Sequence, residues 1–406
     1  MKRIFSIFML FLLVIFLVAC KDQDNPKNEY VHNFSFDNYM YTLIRISITA
    51  ESKEKALELE EEIENIYSMY HDLTSNQSHD ALDDDSPYLE NLYSINNQKN
   101  IQLEIDKELY DMISYSLDLK AVTNGYFDIS IGKVVDAWKA LIVPEESPEI
   151  GDDVFLIEDE VYKKVTAINY DTGRISVEDY TKTFSFFDYK RDITTEAFNL
   201  TINHVEQIDF SDFEIDLFEE DEKYYIRIDG DDIKLDLGAI SKGYATQKVH
   251  DLLKENGVEY FSISAGSSSI VVGKNANREN DEFWISLANP IETSTSTPEY
   301  GTFYMKDNSI TTSGNYEQYI IYQGQRYHHI VSPKTKQPAH FYHTVTLIGE
   351  NAGLLDALST ALFSMSPTEL ETWIDQYQDV YNIDVITYNQ DRTISKYLIR
   401  DIREDF

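Results

Sequence analysis

The stretch from Lys234 to Tyr244 constrains the local fold of this chain more than any other. Apolar and polar residues alternate up to Leu237, which predicts a β-strand, and Gly238 then marks a turn. Apolar residues recur at helical spacing beyond this stretch until Gly257, which predicts a helix that ends there. A strand, a glycine turn and a helix start form a concave backbone site where peptide N–H groups bind phosphate oxygens. Because the same unit is also common as plain scaffold, both roles stay open for the motif taken alone.

Further blocks of small, aromatic and polar residues stand on either side of this motif. In chain order they are TNGYFDISIG at 123–132, SITTSGNYE at 309–317, GQRYHHIVSP at 324–333 and AGLLDALSTA at 352–361. Together with the motif they resemble the FAD:protein FMN transferase (ApbE) family. That family's marks are T-G-G-x-F-D-x-x-x-G, L-D-L-G-x-I-x-K-G-Y, T-S-G-x-Y, H-I-x-D-P-x-T-G and A-D-A-x-x-T. The resemblance runs from about Thr123 to Met365.

This resemblance implies a fold and an activity. The fold is α+β, a single large mixed α/β transferase domain at 31–400, interrupted by an acidic β-rich insertion at 145–231. The activity is a magnesium-dependent FAD:protein FMN transferase, which attaches FMN by a phosphoester to Ser or Thr of an exported or membrane flavoprotein and releases AMP. The same site using water as acceptor would be an FAD pyrophosphatase. The sequence does not separate transfer from hydrolysis. A non-catalytic flavin-binding lipoprotein is a third alternative, which ranks behind both enzymes because Asp356 and Thr360 are retained.

A pair of oxygen donors predicts a metal site. Asp356 and Thr360 are four residues apart on a predicted helix, so they lie on one face on adjacent turns. A carboxylate and a hydroxyl are hard donors of the kind Mg²⁺ prefers. The resemblance adds the backbone carbonyl of Ala239 as a third ligand. An Asp with a Thr one turn later is more often a local hydrogen bond, which is the structural alternative.

The resemblance also implies residues for FAD and for proton transfer. Residues that line the FAD site by resemblance are Met40, Tyr126, Phe127, Asp128, Asp236, Lys242 and Ile330, with Ser313 and Gly314 supporting the segment near the phosphates. His329 is the predicted catalytic residue, for proton transfer or phosphate contact. Ser332 stands where the family has an acidic residue, and Lys336 where it has glycine. Either the Ser332 hydroxyl or His328 is an alternative partner, while the structural alternative makes both histidines ordinary strand residues.

The N-terminus is typical of an exported, lipid-anchored protein. Lys2 and Arg3 precede an apolar run, and small residues stand directly before Cys20, the one cysteine of the chain. We therefore expect a lipoprotein signal peptide at 1–19, lipidation of Cys20, a polar tether at 20–30 and a location at the extracytoplasmic face of the cell membrane. An uncleaved membrane anchor is the alternative. A single cysteine excludes an internal disulfide framework.

The net charge of −38 excludes nucleic acid as a partner, since such a surface repels phosphates. The expected partners are FAD, an acceptor flavoprotein with a Ser or Thr site, and the membrane through the lipid anchor.

Residue patterns also predict individual elements. Helices are expected from Ser52 to about Tyr70, from Ser86 to Tyr93 and from Lys107 to Val122, with a loop at 74–86 and a linker at 144–153. Strands are expected at Tyr39–Ile48, Tyr162–Ile168, Arg174–Val177, Thr183–Phe187, Tyr224–Ile228, Tyr260–Ser264, Ile270–Val272 and Phe283–Leu287.

Overall fold

The structure, a computed structural model, describes residues 30–76, 87–142, 193–210, 213–230, 232–266, 268–291, 299–316 and 318–406, together with the backbone of five strands between 154 and 191. Helices in these ranges are α1 Lys53–Leu73, α2 Leu92–Asn97, α3 Lys107–Val122, α4 Gly132–Ile142, α5 Thr195–Gln207, α6 Ser241–Glu255, α7 Ala352–Ser364 and α8 Pro367–Tyr381. None of these helices is both long and apolar enough to cross a membrane. The predicted signal peptide, Cys20 and most of the tether lie outside the described residues.

The strands of the described ranges follow in chain order. They are β1 Tyr30–Phe36, β2 Ile44–Ala50, β3 Leu103–Ile105, β4 Val154–Glu158, β5 Val161–Asn169, β6 Arg174–Val177, β7 Tyr180–Thr183, β8 Tyr189–Arg191, β9 Glu214–Glu220, β10 Lys223–Asp229, β11 Phe261–Ala265, β12 Ser269–Val272, β13 Phe283–Ala288, β14 Glu299–Met305, β15 Asn308–Gly314, β16 Tyr319–Tyr322, β17 Gln325–His328, β18 Val331–Ser332, β19 Gln337–Pro338, β20 Tyr342–Gly349, β21 Asp384–Asn389, β22 Ile394–Tyr397 and β23 Arg403–Asp405.

An eight-stranded antiparallel sheet forms the centre of the molecule, in the order β1-β2-β11-β12-β15-β20-β21-β22. Helix α7 packs on β15 and β20, and α6 packs between α7 and α1. Side chains of β15 alternate between the two faces of the sheet. Ile310 joins the apolar layer beneath the small sheet β13-β14-β23, while Ser313 on the other face bonds to Ser359 of α7. The central sheet therefore carries helices on one face and a second sheet on the other, a mixed helix-and-sheet fold as predicted.

Four predicted helices are confirmed as α1, α3, α6 and α7, and one is wrong. Helix α1 begins after Ser52, whose hydroxyl accepts the amide of Lys55 at 3.2 Å, and α3 spans the predicted residues. Asn124 and Gly125 end α3 with left-handed backbone angles of 51° and 74°. The predicted Ser86–Tyr93 helix is instead the short α2, Leu92–Asn97, because the Asn91 side chain caps its start by accepting the Ser94 amide at 3.1 Å.

The predicted strand Tyr39–Ile48 covers two different structures. Only its second half belongs to a strand, β2, while residues 37–43 form the connection from β1. Met40 and Tyr41 adopt left-handed backbone angles of 53° and 54° there, which a strand does not allow. Sequence alternation did not reveal this turn, since its apolar residues continue the pattern of β2.

The predicted strand ending at Leu237 is extended but belongs to no sheet. Ile233, Leu235 and Leu237 are buried on one side as the alternation predicts, yet a single parallel bridge links Lys234 to Ile131. The Asn96 side chain takes the place of a neighbouring strand, because it accepts the Leu235 amide at 2.7 Å and donates to the Leu235 carbonyl at 2.9 Å. A side-chain amide therefore satisfies backbone groups that the pattern assigns to a sheet.

The region predicted as a β-rich insertion has two structural parts. Strands β4 to β8 form a five-stranded sheet, in which the strands expected at Tyr162–Ile168 and Arg174–Val177 are confirmed. All but the first residue of the strand expected at Thr183–Phe187 lies outside the described residues. The later part contains helix α5, which the strand-like pattern did not predict, and His204 lies exposed on this helix. Strand β10 pairs with β3, and Ile226 and Ile228 join the main core. The loop at 77–86 and the linker at 144–153 lie outside the described residues.

Candidate active site

A cavity of about 400 Å³ opens where the turn before α6, the end of β15, the segment after β17 and helix α7 meet. All predicted site residues within the described ranges line it: Met40, Tyr126, Phe127, Asp128, Asp236, Ala239, Lys242, His329, Ile330, Asp356 and Thr360. Ser313 and Gly314 line it as well. The fold therefore brings together residues from blocks that are far apart in sequence, in a concave site of the size that small ligands occupy.

Asp236 organises the turn that enters α6. Its Oδ1 accepts the Gly238 amide at 2.7 Å, and a Cβ at residue 238 would stand 2.9 Å from that oxygen. Its Oδ2 lies 3.4 Å from Nζ of Lys139. Burial alone would raise the pKa of Asp236, but Lys139 and the Gly238 amide outweigh burial and hold the pKa below its ordinary value. The carboxylate is therefore charged at neutral pH.

Gly243 allows α6 to approach α7 closely. A Cβ at this position would stand 2.4 Å from the carbonyl oxygen of Ala352 and 2.5 Å from Cβ of Asp356. The Gly243 amide donates to Oδ2 of Asp356 at 2.8 Å. In a regular first turn this amide would bond to the carbonyl of Ala239, four residues back. No described residue donates a backbone hydrogen bond to that carbonyl outside the regular helices and strands, so it is open to another partner.

Asp356 and Thr360 present oxygens to the same cavity, as predicted from their spacing. Burial raises the pKa of Asp356, and the Lys242 ammonium opposes that shift. The Thr360 hydroxyl donates to the Asp356 carbonyl at 3.3 Å and lies 3.4 Å from the Ser313 hydroxyl. The local hydrogen bond expected from the structural alternative is thus present, but it leaves lone pairs of the threonine oxygen facing the cavity.

These donors fit a hard divalent cation. A buried carboxylate, a hydroxyl and an open carbonyl are all oxygen ligands, the set that Mg²⁺ takes. The set contains one carboxylate only, and the described residues hold no group of three or more His, Cys, Asp and Glu side chains placed to bind a metal. A cation here would share its charge with the bound ligand, which is typical of Mg²⁺ sites that also hold substrate phosphates.

His329 and His328 have different environments. Burial lowers the pKa of His329 to about 4, and the ammonium groups of Lys139 and Lys242 act in the same direction. Its Nδ1 is buried and has no hydrogen-bond partner among the described residues. His328 is fully buried; its Nε2 bonds to the Ala339 carbonyl and its Nδ1 accepts the Ile330 amide. Only His329 lines the cavity, so His328 supports the segment from inside the core.

The two departures from the family pattern lie behind the cavity wall. Ser332 is buried, and its hydroxyl has no partner within the described part of the chain. Lys336 adopts a left-handed backbone angle of 58°, the conformation for which glycine is best suited. Its Nζ bonds to the Ile208 carbonyl, and its own carbonyl accepts the Trp138 indole N–H at 2.9 Å. Neither side chain lines the cavity, while Val331 and Pro333 on either side of Ser332 do.

The aromatic pair Tyr126-Phe127 belongs both to the core and to the cavity wall. The Tyr126 hydroxyl donates to Glu369 at 2.5 Å, and burial raises its pKa to about 12. Both oxygens of Asp128 are engaged, one with Ser130 and the other with Lys120 at 2.8 Å. These side chains are therefore held in place before any ligand arrives.

Sequence reasoning missed Lys139 of α4, which also lines the cavity. Its partner Asp236 is 97 residues away in sequence, and the intervening chain includes the five-stranded sheet. A lysine in the last turn of an amphipathic helix carries no local signal of a site. Only the tertiary structure reveals it.

Comparisons with known proteins identify the family of this chain. The ApbE family model matches residues 40–383. The FAD:protein FMN transferase of Buchnera aphidicola is 26% identical over 268 residues, 65% of this chain and 63% of that protein. The FAD:protein FMN transferase of Escherichia coli K12 is 21% identical over 357 residues, 87% of this chain and 84% of that protein.

Two solved structures share the fold. The ApbE protein of Thermotoga maritima matches with a TM-score of 0.63 and 20% identity, over 90% of this chain and 97% of that one. The flavin transferase ApbE of Vibrio cholerae matches with a TM-score of 0.60 and 18% identity, over 91% of this chain and 97% of that one.

Proposed function

This chain belongs to the ApbE family, and we propose from that premise that it is an FAD:protein FMN transferase. It transfers the FMN half of FAD to a Ser or Thr hydroxyl of an acceptor flavoprotein. One observation carries the proposal: Asp236, Lys242, His329, Asp356 and Thr360 converge on a single cavity. Carboxylate, ammonium, imidazole and hydroxyl groups in one site match the needs of phosphoryl transfer.

Mg²⁺ is the proposed metal, held by Asp356, Thr360 and the carbonyl of Ala239. The open Ala239 carbonyl and the buried Asp356 carboxylate support this assignment. When bound there, Mg²⁺ would neutralise charge on the diphosphate. Among the described residues no group of three or more His, Cys, Asp and Glu side chains is placed to hold a metal, so ligand phosphates would supply the remaining oxygens.

The proposed reaction joins the acceptor hydroxyl oxygen to the FMN phosphorus and breaks that phosphorus's bond to the bridging oxygen. AMP leaves with that oxygen, and the hydroxyl proton is taken up by a base. His329 is suited to this role, since it is neutral at physiological pH and its Nδ1 is unpartnered among the described residues. A bound diphosphate beside the ring would raise its pKa toward the working pH. Lys242 holds a positive charge beside the same site.

Water could replace the acceptor hydroxyl in the same cavity, which would give FAD hydrolysis to FMN and AMP. The experiment is therefore mass spectrometry of acceptor peptides carrying Ser or Thr after incubation with the protein, FAD and Mg²⁺. A mass gain equal to an FMN phosphoester supports transfer. FAD split without a modified peptide favours the pyrophosphatase, and intact bound FAD favours the non-catalytic binder. Absence of FAD binding rejects all three.

An exported, lipid-anchored location is also part of the proposal. It rests on the apolar N-terminal run and on Cys20 directly after small residues. Labelling cells with a fatty-acid analogue tests it, with Cys20→Ser as the matched variant. Label on the wild-type protein and none on C20S supports the anchor, whereas equal labelling of the two rejects it.

A further inference from the structure

Lys139 extends into the cavity from the last turn of α4, opposite the turn that enters α6. The described residues of the cavity lining include two ammonium groups, Lys139 and Lys242, and three carboxylates, Asp128, Asp236 and Asp356. Asp128 is already paired with Lys120. Both ammonium groups act on His329, whose pKa each of them lowers, so they flank one region of the cavity.

The contact between Lys139 and Asp236 is loose. Its N–O distance of 3.4 Å is the longest among the ion pairs between described residues. Lys133, which is also on α4, lies 2.8 Å from Asp232, and Lys120 lies 2.8 Å from Asp128. The side chain of Lys139 is 46% exposed, while that of Asp236 is 13% exposed. An ammonium has three donors, and the described residues offer this one a single long acceptor.

A purely structural role would predict a different arrangement. A lysine that only neutralises Asp236 or the end of α4 would approach its partner at ordinary hydrogen-bond distance. In a protein with a net charge of −38, a half-exposed ammonium facing an open cavity is a poor match for further protein carboxylates but a good match for a ligand anion. The diphosphate of a dinucleotide is an anion of suitable size and charge.

We propose that Lys139 is a second diphosphate-binding cation of this site, which exchanges Asp236 for the phosphate oxygens when FAD binds. The exchange leaves Oδ2 of Asp236 available to accept a sugar hydroxyl, while Oδ1 keeps its bond to the Gly238 amide. Lys139 and Lys242 then hold the diphosphate from two sides. This inference rests on the proposed function, because it takes FAD as the ligand.

The test measures FAD affinity of the full protein by flavin fluorescence at several salt concentrations. Lys139→Met keeps the length of the side chain and removes its charge, and Lys139→Arg keeps the charge. Lys133→Met is the matched control, because Lys133 lies on the same helix, pairs with Asp232 and does not line the cavity. Thermal melting of each variant checks that it is folded.

Lys139→Met should weaken FAD binding roughly tenfold to a hundredfold, the worth of one charge-assisted contact, and should flatten the salt dependence. Lys139→Arg should stay close to the wild type, as should Lys133→Met.

Wild-type affinity in K139M, an equal loss in K139M and K139R, or an unchanged salt dependence would overturn the inference. If the wild type binds FAD but neither transfers nor splits it, the proposed activity fails while the binding role of Lys139 stands. If the wild type does not bind FAD, both fail.

Discussion

The amide of Gly243 donates its hydrogen bond to Oδ2 of Asp356, 113 residues away, and not to the carbonyl of Ala239. This bond joins α6 to α7 at the site. It also leaves the Ala239 carbonyl open beside the carboxylate, which is the arrangement a cation needs. The absence of a side chain at residue 243 makes it possible.

Gly243→Ala should therefore destabilise the protein and impair the site. The new Cβ would stand 2.4 Å from the Ala352 carbonyl oxygen and 2.5 Å from Cβ of Asp356. Both distances are shorter than van der Waals contact, so α6 would be forced away from α7. We expect a loss of about 1–3 kcal/mol in the free energy of unfolding, measured by urea denaturation, together with weaker FAD binding. Gly257→Asn is the control, since no atom lies within 4 Å of a Cβ there and Asn tolerates its left-handed angle of 70°. Equal effects of the two variants would contradict the prediction.

Asp356→Asn should abolish stabilisation by Mg²⁺. A ligand that binds only the folded state adds about 2.7 kcal/mol at a hundred times its Kd, which raises the melting temperature of the wild type. The Asn side chain still accepts the Gly243 amide but lacks the charge. Asp251→Asn on the exposed face of α6 is the control and should respond to Mg²⁺ like the wild type. A melting-temperature shift of wild-type size in D356N would reject Asp356 as a ligand.

The stability of the protein is expected to respond differently to glycine and to valine at position 336. Its left-handed backbone costs about 1–2 kcal/mol for a residue with a Cβ, while its Nζ bond to the Ile208 carbonyl returns about 1 kcal/mol. Lys336→Gly should therefore change the free energy of unfolding by no more than about 1 kcal/mol. Lys336→Val loses the bond and fits the angle worse, so we expect a loss of about 2 kcal/mol or more. Equal stability of the two variants in urea would show that the angle is not maintained.

The pH dependence of stability should contain a contribution from His329. Its pKa falls from the ordinary value of 6.5 to about 4 on folding, so the unfolded chain binds the extra proton in that window. Its contribution to stability is therefore largest above pH 6.5 and is lost as the pH falls toward 4. His329→Gln should show a shallower loss of stability over this range than the wild type, with urea denaturation at several pH values as the measurement. His328 has a pKa lowered to about 3 and keeps contributing in both proteins. Parallel curves would contradict the assigned environment of His329.

Asn96→Ala should weaken the segment that carries Asp236. The Asn96 amide satisfies both the N–H and the C=O of Leu235, and the substitution leaves these buried groups unpaired. A cost of about 2–4 kcal/mol follows from two lost partners, and FAD affinity should fall because Asp236 is the next residue. The neighbouring Asn97→Ala is the control, since Asn97 is exposed and its side chain donates to the Tyr93 carbonyl of its own helix at 2.8 Å. The prediction fails if N96A unfolds at the same urea concentration as N97A.

Local sequence patterns predicted much of the fold, and the family resemblance predicted which residues share one site. Helix α3 was predicted residue for residue because its apolar spacing, its start and the Asn124-Gly125 stop all agree. The family resemblance is confirmed, since the ApbE model matches residues 40–383. The roles assigned to individual residues stay predictions, although every one of them within the described ranges lines the cavity.

The errors arise where tertiary contacts replace local ones. Residues 232–237 alternate like a strand, but Asn96 replaces the partner strand, and no local pattern contains that information. Residues 39–43 continue the pattern of β2 although Met40 and Tyr41 turn away from it. Lys139 could not be recognised as a site residue from the sequence, because its partner Asp236 follows the intervening five-stranded sheet.

Two backbone hydrogen bonds lie at the bridge between Ile131 and Lys234. The Gly132 amide donates to the Lys234 carbonyl at 2.8 Å, and the Asp236 amide donates to the Ile129 carbonyl at 2.8 Å. They join the aromatic wall of the cavity to the turn that enters α6, across roughly a hundred residues of chain. Because loop-closure entropy grows only with the logarithm of length, extra residues inserted between α4 and α5 add little closure cost. The fold thus offers a place where new binding properties can be added while the geometry of the cavity stays unchanged.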